Sequence, residues 1–155
     1  MMTAEQTGPQ RVHMCTGGPE EIERRLRMTL PAAGNSVRLA RQATRAVLTA
    51  WQLAYVEENA LLIVSELATN AVRHASGTDL IALDLLASRT WLRIEVMDAD
   101  RSWPQPRVPD GFDESGFGFV LVDALAGNWG VRETEGGKAV WAELDTRPGT
   151  DHRRR

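Results

Sequence analysis

Cysteine is almost missing from this chain: among 155 residues only Cys15 is one. A lone thiol closes no intrachain disulfide and builds no cysteine-based metal cluster. Net charge is also scarce. Eighteen Lys and Arg against 21 Asp and Glu leave −3 at pH 7, which offers no basic surface for direct nucleic-acid binding. The one basic run, His152 to Arg155, reads as the end of a tail. No apolar run reaches membrane-spanning length and no basic-plus-apolar leader opens the chain, so the expectation is a cytoplasmic protein without membrane contact. Neither an internal repeat nor a Walker A sequence nor a full dinucleotide fingerprint is present. What remains is ordinary globular composition, 43% apolar and 25% charged, at a length that supports one hydrophobic core without staples.

Residues 1–22, with TGPQ and TGGPEE, lack periodicity and read as a flexible leader; 147–155 read as a tail, leaving one domain over 23–146. Within it, Arg25 to Leu30 alternates as an edge or outer strand that Pro31 ends. Asn35 or Ser36 caps a helix running to about Trp51. Its apolar face is Val37, Ala40, Ala43, Ala46, Val47 and Ala50, and its polar face Arg38, Arg41, Gln42 and Arg45. That arginine-rich face suits water, a partner or a phosphate. Tyr55 to Ala75 forms a second helix with Glu57 and Glu58 at its positive end. Ile81 to Ala87 and Trp91 to Ala99 then read as a hairpin around Ser88–Thr90.

The stretch Asp98 to Gly116 is rich in Pro, Asp and Gly, and at that length an irregular loop is more often functional than idle. Helical spacing returns from Gly118, with Gly127 as a C-cap. Trp129 to Thr134 and Ala139 to Leu144, joined by EGGK, carry the strongest hairpin signal in the chain. The order is strand, helix, helix, hairpin, loop, helix, hairpin, which does not alternate as a Rossmann unit must. The expected fold is an α/β protein of the α+β two-layer sandwich kind. Its sheet is mixed and mainly antiparallel, with about three helices on one face.

The helix from Leu61 to Ala75 carries the first chemical signal. Leu61, Leu62, Val64, Leu67, Ala68, Ala71, Val72 and Ala75 recur at steps of three and four as a buried stripe, while Glu66, Asn70 and His74 stand four apart in a polar column. A carboxylate and a carboxamide one turn apart can hold a hydrated divalent cation, and the carboxylate can accept a proton. The same column also reads as the wet side of a helix. The second signal is Asp98, where a clean strand opens into the long loop: a carboxylate there suits an exocyclic amine such as that of adenine, or serves as a turn residue. The third is ESGFGF, Glu114 to Phe119. Gly116 and Gly118 would let the backbone pass close to a phosphate at a helix N-terminus, or simply make a loop-to-helix turn.

Taken together, SELATNAVRHA, VMDAD and GFGFVLVDALAGNWG, with GKAVWAEL as a closing strand, resemble the GHKL (Bergerat-fold) ATP-binding domain. That domain is shared by gyrase, Hsp90, histidine kinases and MutL. Within that superfamily the chain looks most like the compact bacterial anti-sigma-factor serine/threonine kinases, over roughly Arg24 to Asp145. The resemblance implies a histidine-kinase-like ATPase fold with ATP and Mg2+ as cofactors. By matching position it implies Asn70 as the metal ligand, Glu66 as general base toward a serine hydroxyl, Asp98 on the adenine amine, and Gly116 and Gly118 around the phosphates. It further implies as partners an anti-anti-sigma (STAS-type) protein, a sigma factor, or both, and a possible homodimer. Two departures bear on this. Ala99-Asp100-Arg101-Ser102 follows Asp98 where the wider superfamily has Asp-x-Gly-x-Gly, and Phe117 stands where an arginine is common in the compact relatives. Both point to weaker ATP binding, or to a module that sequesters a sigma factor without kinase activity. Lys138 reads either as a solvated turn lysine or as a compensating contact.

Overall fold

A computed structural model describes residues 21–74, 80–99 and 117–149. The elements are β1 (Arg24–Pro31), α1 (Asn35–Ala50), a 3-10 turn (Ala54–Val56), α2 (Glu57–His74), β2 (Leu80–Ala87), β3 (Trp91–Asp98), α3 (Phe117–Leu125), β4 (Asn128–Thr134) and β5 (Gly137–Asp145). The strands form one sheet in the order β1-β2-β3-β5-β4, and every pairing is antiparallel. This is the expected two-layer fold of a mainly antiparallel sheet with three helices, and β1 is an edge strand as its sequence suggested. Among the described residues no strand pair is parallel, so the sheet is not mixed. The leader, the loop after Ala99 and the last residues of the tail lie outside the described residues.

Strand alternation sets the two faces. Leu83 and Leu85 of β2, Ile94 and Val96 of β3, and Val140 and Ala142 of β5 all point into the buried core. The helices close that core from the other side with Ala40, Leu48, Ile63, Val64, Leu67 and Val122. α2 is the central helix, packed on β2, β3 and β5 and flanked by α1 and α3. No helix among the described residues is long and apolar enough to cross a membrane.

Three local expectations need correction. Asn35 and Ser36 do not cap α1: Gly34 holds the cap position with no side-chain bond, and Ser36 is buried, its Oγ donating to Pro31 O at 2.5 Å. The buried column of α1 is Ser36, Ala40, Thr44 and Leu48, whereas Ala46 and Ala50 are exposed. Small polar groups can sit in that column because their hydroxyls find backbone acceptors; Thr44 Oγ1 donates to Ala40 O at 2.8 Å. Gly127 is not a left-handed C-cap. It has no positive φ, and its N–H donates to Glu143 O at 2.9 Å, so it already belongs to the approach of β4 to β5. The arginine-rich face of α1 serves in part to hold α2. Arg41 donates to Leu61 O at 3.1 Å and to Ser65 Oγ, and Arg45 pairs with Glu57 at 3.5 Å.

The sheet face away from the helices carries a charge ladder, which explains the imperfect alternation of β2. Asp84 is only 1% exposed on that face. It accepts from Arg25 at 2.8 Å and from Arg27 at 2.7 Å through each oxygen. Burial alone would push its carboxyl up, but the hydrogen bonds from Arg27 and Arg25, with their charges, outweigh this and hold it below its ordinary value. Arg27 is correspondingly raised by its hydrogen bond to Asp84. Glu95, directly opposite Asp84, pairs with Arg132. Arg93 bonds Glu143 and lies over the rings of Trp141 and Trp91, at 4.6 and 5.7 Å from their centroids.

Candidate nucleotide site

One end of the sheet gathers the chemistry-bearing residues. The ladders pair Pro31 with Leu80, Ala82 with Met97 and Asp98 with Lys138, so the start of β2, the end of β3 and the start of β5 share a rim. Tyr55, just ahead of α2, donates its hydroxyl to Thr146 O at 2.6 Å, just past the end of β5, so α2 starts at the opposite rim. Its 18 residues span about 27 Å, and its C-terminal half, with Glu66 and Asn70, runs toward the rim of Asp98. α3 finishes beside the opposite rim, where Gly127 meets Glu143, which makes Phe117 and Gly118 the end of α3 remote from that rim.

Glu66 and Asn70 are half-buried on α2, one turn apart, while the neighbouring stripe of Leu67, Ala68 and Ala71 is fully buried. The column thus sits at the margin of the core rather than on a fully wet face. His74, at the helix terminus, is exposed. Asp98 is the last residue of β3, and alternation places its side chain on the helix side of the sheet with Ile94 and Val96. Gly118 is the second residue of α3, inside the helix rather than ahead of it. Gly116 lies outside the described residues.

Two neighbours of Asp98 were read differently from sequence. Lys138 is not a solvated turn lysine. The turn of the last hairpin is only Glu135-Gly136, because Thr134 already pairs with Gly137. Lys138 is the second residue of β5, 4% exposed, with Nζ 3.8 Å from Asp98 Oδ1. The signal was present in the sequence, since Lys138 keeps the alternation of Val140, Ala142 and Leu144. Gly137 likewise has a packing role: a Cβ there would lie 2.0 Å from Asp98 O. Only glycine lets the end of β3 and the start of β5 press together at this rung.

The donor set fits ATP with Mg2+. Among the described residues no group of three or more His, Cys, Asp or Glu could cage an ion. Mg2+ bound to a nucleotide keeps much of its water and takes only one or two protein oxygens beside the phosphates. A single carboxamide such as Asn70 meets that demand.

The sequence matches the family described as the histidine kinase-like ATPase domain over residues 30–144, most of the chain, and the protein belongs to this family of GHKL-type ATP-binding domains. No curated protein matches it.

Proposed function

We propose that this chain is an ATP-dependent protein serine/threonine kinase of the anti-sigma-factor type, which transfers the γ-phosphoryl group of ATP to a serine of a STAS-type anti-anti-sigma partner. The observation that carries the reading is the half-buried pair Glu66 and Asn70, one turn apart on the central helix of a GHKL-type domain and directed to the rim that holds Asp98. Asn70 would hold the Mg2+ that neutralises phosphate charge when ATP is bound. Glu66 accepts the proton of the attacking serine hydroxyl, Asp98 receives the adenine amine, and Gly116 and Gly118 leave room for the phosphates. Catalysis rests on placement and on charge neutralisation. The site calls for a cytoplasmic setting where ATP is abundant, and a homodimer would present two such sites to its partners.

The test is incubation with labelled ATP and small STAS-type proteins, scored for serine phosphorylation. Glu66→Gln should keep Mg-ATP binding and lose transfer. Undiminished transfer by that variant removes Glu66 as the base.

A second reading is a sigma-sequestering module without kinase activity. It is favoured by the absence of both glycines after Asp98 and by Phe117 at the start of α3. Calorimetry with ATP, with and without Mg2+, separates the two at the first step, because the kinase must show Mg2+-dependent affinity.

A further inference from the structure

Two arginines of α1 reach across to α2, and they grip it differently. Arg45 pairs with Glu57, in the first turn of α2, at 3.5 Å. Arg41, half-buried, reaches the middle of the helix instead. Its Nη1 donates to Leu61 O at 3.1 Å and to Ser65 Oγ. Ser65 Oγ in turn donates to Leu61 O at 2.7 Å. In an α-helix the same carbonyl also accepts the N–H of Ser65. Three donors therefore meet on Leu61 O, and the main-chain bond must share it. Back-bonding of a serine to the carbonyl four residues earlier bends helices, and a side chain that draws the same carbonyl outward acts in the same sense. The turn concerned closes immediately before Glu66. Glu66 itself lies about 100° further round the helix than Ser65, and Asn70 further still, so Arg41 holds the turn and not the site residues.

We propose that Arg41 is a positioning residue for the nucleotide site. By holding Leu61 O and Ser65 Oγ, it sets the direction in which the C-terminal half of α2 carries Glu66 and Asn70 to the rim. This rests on the assignment of the site to Mg-ATP. Asn70 stands about 7.5 Å along the axis from Ser65, so a tilt of about 8° at this turn moves it by about 1 Å. A displacement on that scale is costly wherever a group must meet its partner at a fixed distance.

The experiment measures ATP affinity by calorimetry, with and without Mg2+, on the full chain and on Arg41→Met, Ser65→Ala and Arg45→Met. Circular dichroism checks each fold and its Tm. Arg41→Met should lose about tenfold of the Mg2+-dependent part of the affinity, the scale on which metal sites respond to lost supporting groups, and keep its affinity for ATP alone. Ser65→Ala takes away one of the two acceptors of Arg41 and should show part of the same loss. Arg45→Met breaks the other grip, ahead of the turn, and should leave the Mg2+ dependence unchanged. A staple that merely joins α1 to α2 would lower Tm in Arg41→Met with the Mg2+ dependence intact, and that result overturns the inference. Equal losses of Mg2+ dependence in Arg41→Met and Arg45→Met overturn it as well. Should Arg41→Met not fold, Ser65→Ala decides, and an unchanged Mg2+ dependence there refutes the positioning role. An unmodified chain without Mg2+-dependent ATP affinity overturns the Mg-ATP assignment itself, and the inference with it.

Discussion

Replacing Gly137 by alanine tests the geometry of the site more directly than any charged substitution. The added Cβ would lie 2.0 Å from Asp98 O, 2.7 Å from Ala99 Cα and 2.8 Å from Ala99 C. Non-bonded carbon and oxygen atoms settle near ~3.5 Å, so the two strands must part by roughly 1.5 Å at this rung. All three obstacles are backbone atoms, and no rotamer change relieves them. The cost should therefore reach the upper part of the overpacking range, about 3 kcal/mol. For a chain of this size that lowers Tm by about 6–12 °C. The control is Gly136→Ala, one residue earlier, where nothing lies within 4 Å of the new Cβ and φ is not positive. It should shift stability by no more than about 0.5 kcal/mol. Thermal unfolding followed by circular dichroism compares the two. Because Asp98 must retreat from Lys138, Gly137→Ala should also weaken ATP binding. If the two variants melt within about 2 °C of each other, the strand-contact argument is wrong.

Asn70→Ala should remove at least about tenfold of the Mg2+-dependent part of ATP affinity, the scale on which metal sites respond to lost supporting groups. Calorimetry with and without Mg2+ measures it, and an unchanged Mg2+ dependence would rule Asn70 out as the ligand. Asp84 gives a pH prediction on the opposite face of the sheet. Its folded-state carboxyl is held below the ordinary 3.8, so its contribution is complete above that pH and fades as pH falls below it through the folded value. Asp84→Asn should cost between the ~1 kcal/mol of an exposed pair and the ~3–5 kcal/mol of a buried one, because Asp84 is buried while Arg25 and Arg27 are half exposed. Urea unfolding from about pH 7 to pH 3 should show the gap between the two proteins narrowing on the acid side. A constant gap would mean that the arginine pairing is not the source of the stability.

Local patterns in the sequence determined much of the scaffold. The hairpins β2–β3 and β4–β5, the edge position of β1 and the long amphipathic α2 were legible because each depends on periodicity and turn residues within a short window. The register of Glu66 and Asn70 on one helix face follows from the same local geometry. The two glycines of the EGGK turn differ in role. Gly136 occupies the turn without a positive φ, while Gly137 is required by the close approach of β3.

What only the tertiary structure decided concerns the helix that carries Glu66 and Asn70 and the rung at which β3 meets β5. Read alone, the polar column of α2 could face water or a site. The sheet and the flanking helices place it at the margin of the core, running toward the rim of Asp98. Which residue stands opposite Asp98 depends on pairing between strands forty residues apart, and no local pattern reports that register. Pairing turned Lys138 from a turn residue into a buried partner of the candidate base-binding carboxylate. It also placed Asp84, Glu95 and Glu143 under arginines on the opposite face. The chain's own alternation says which residues share a face; only the assembled sheet says which charges meet there.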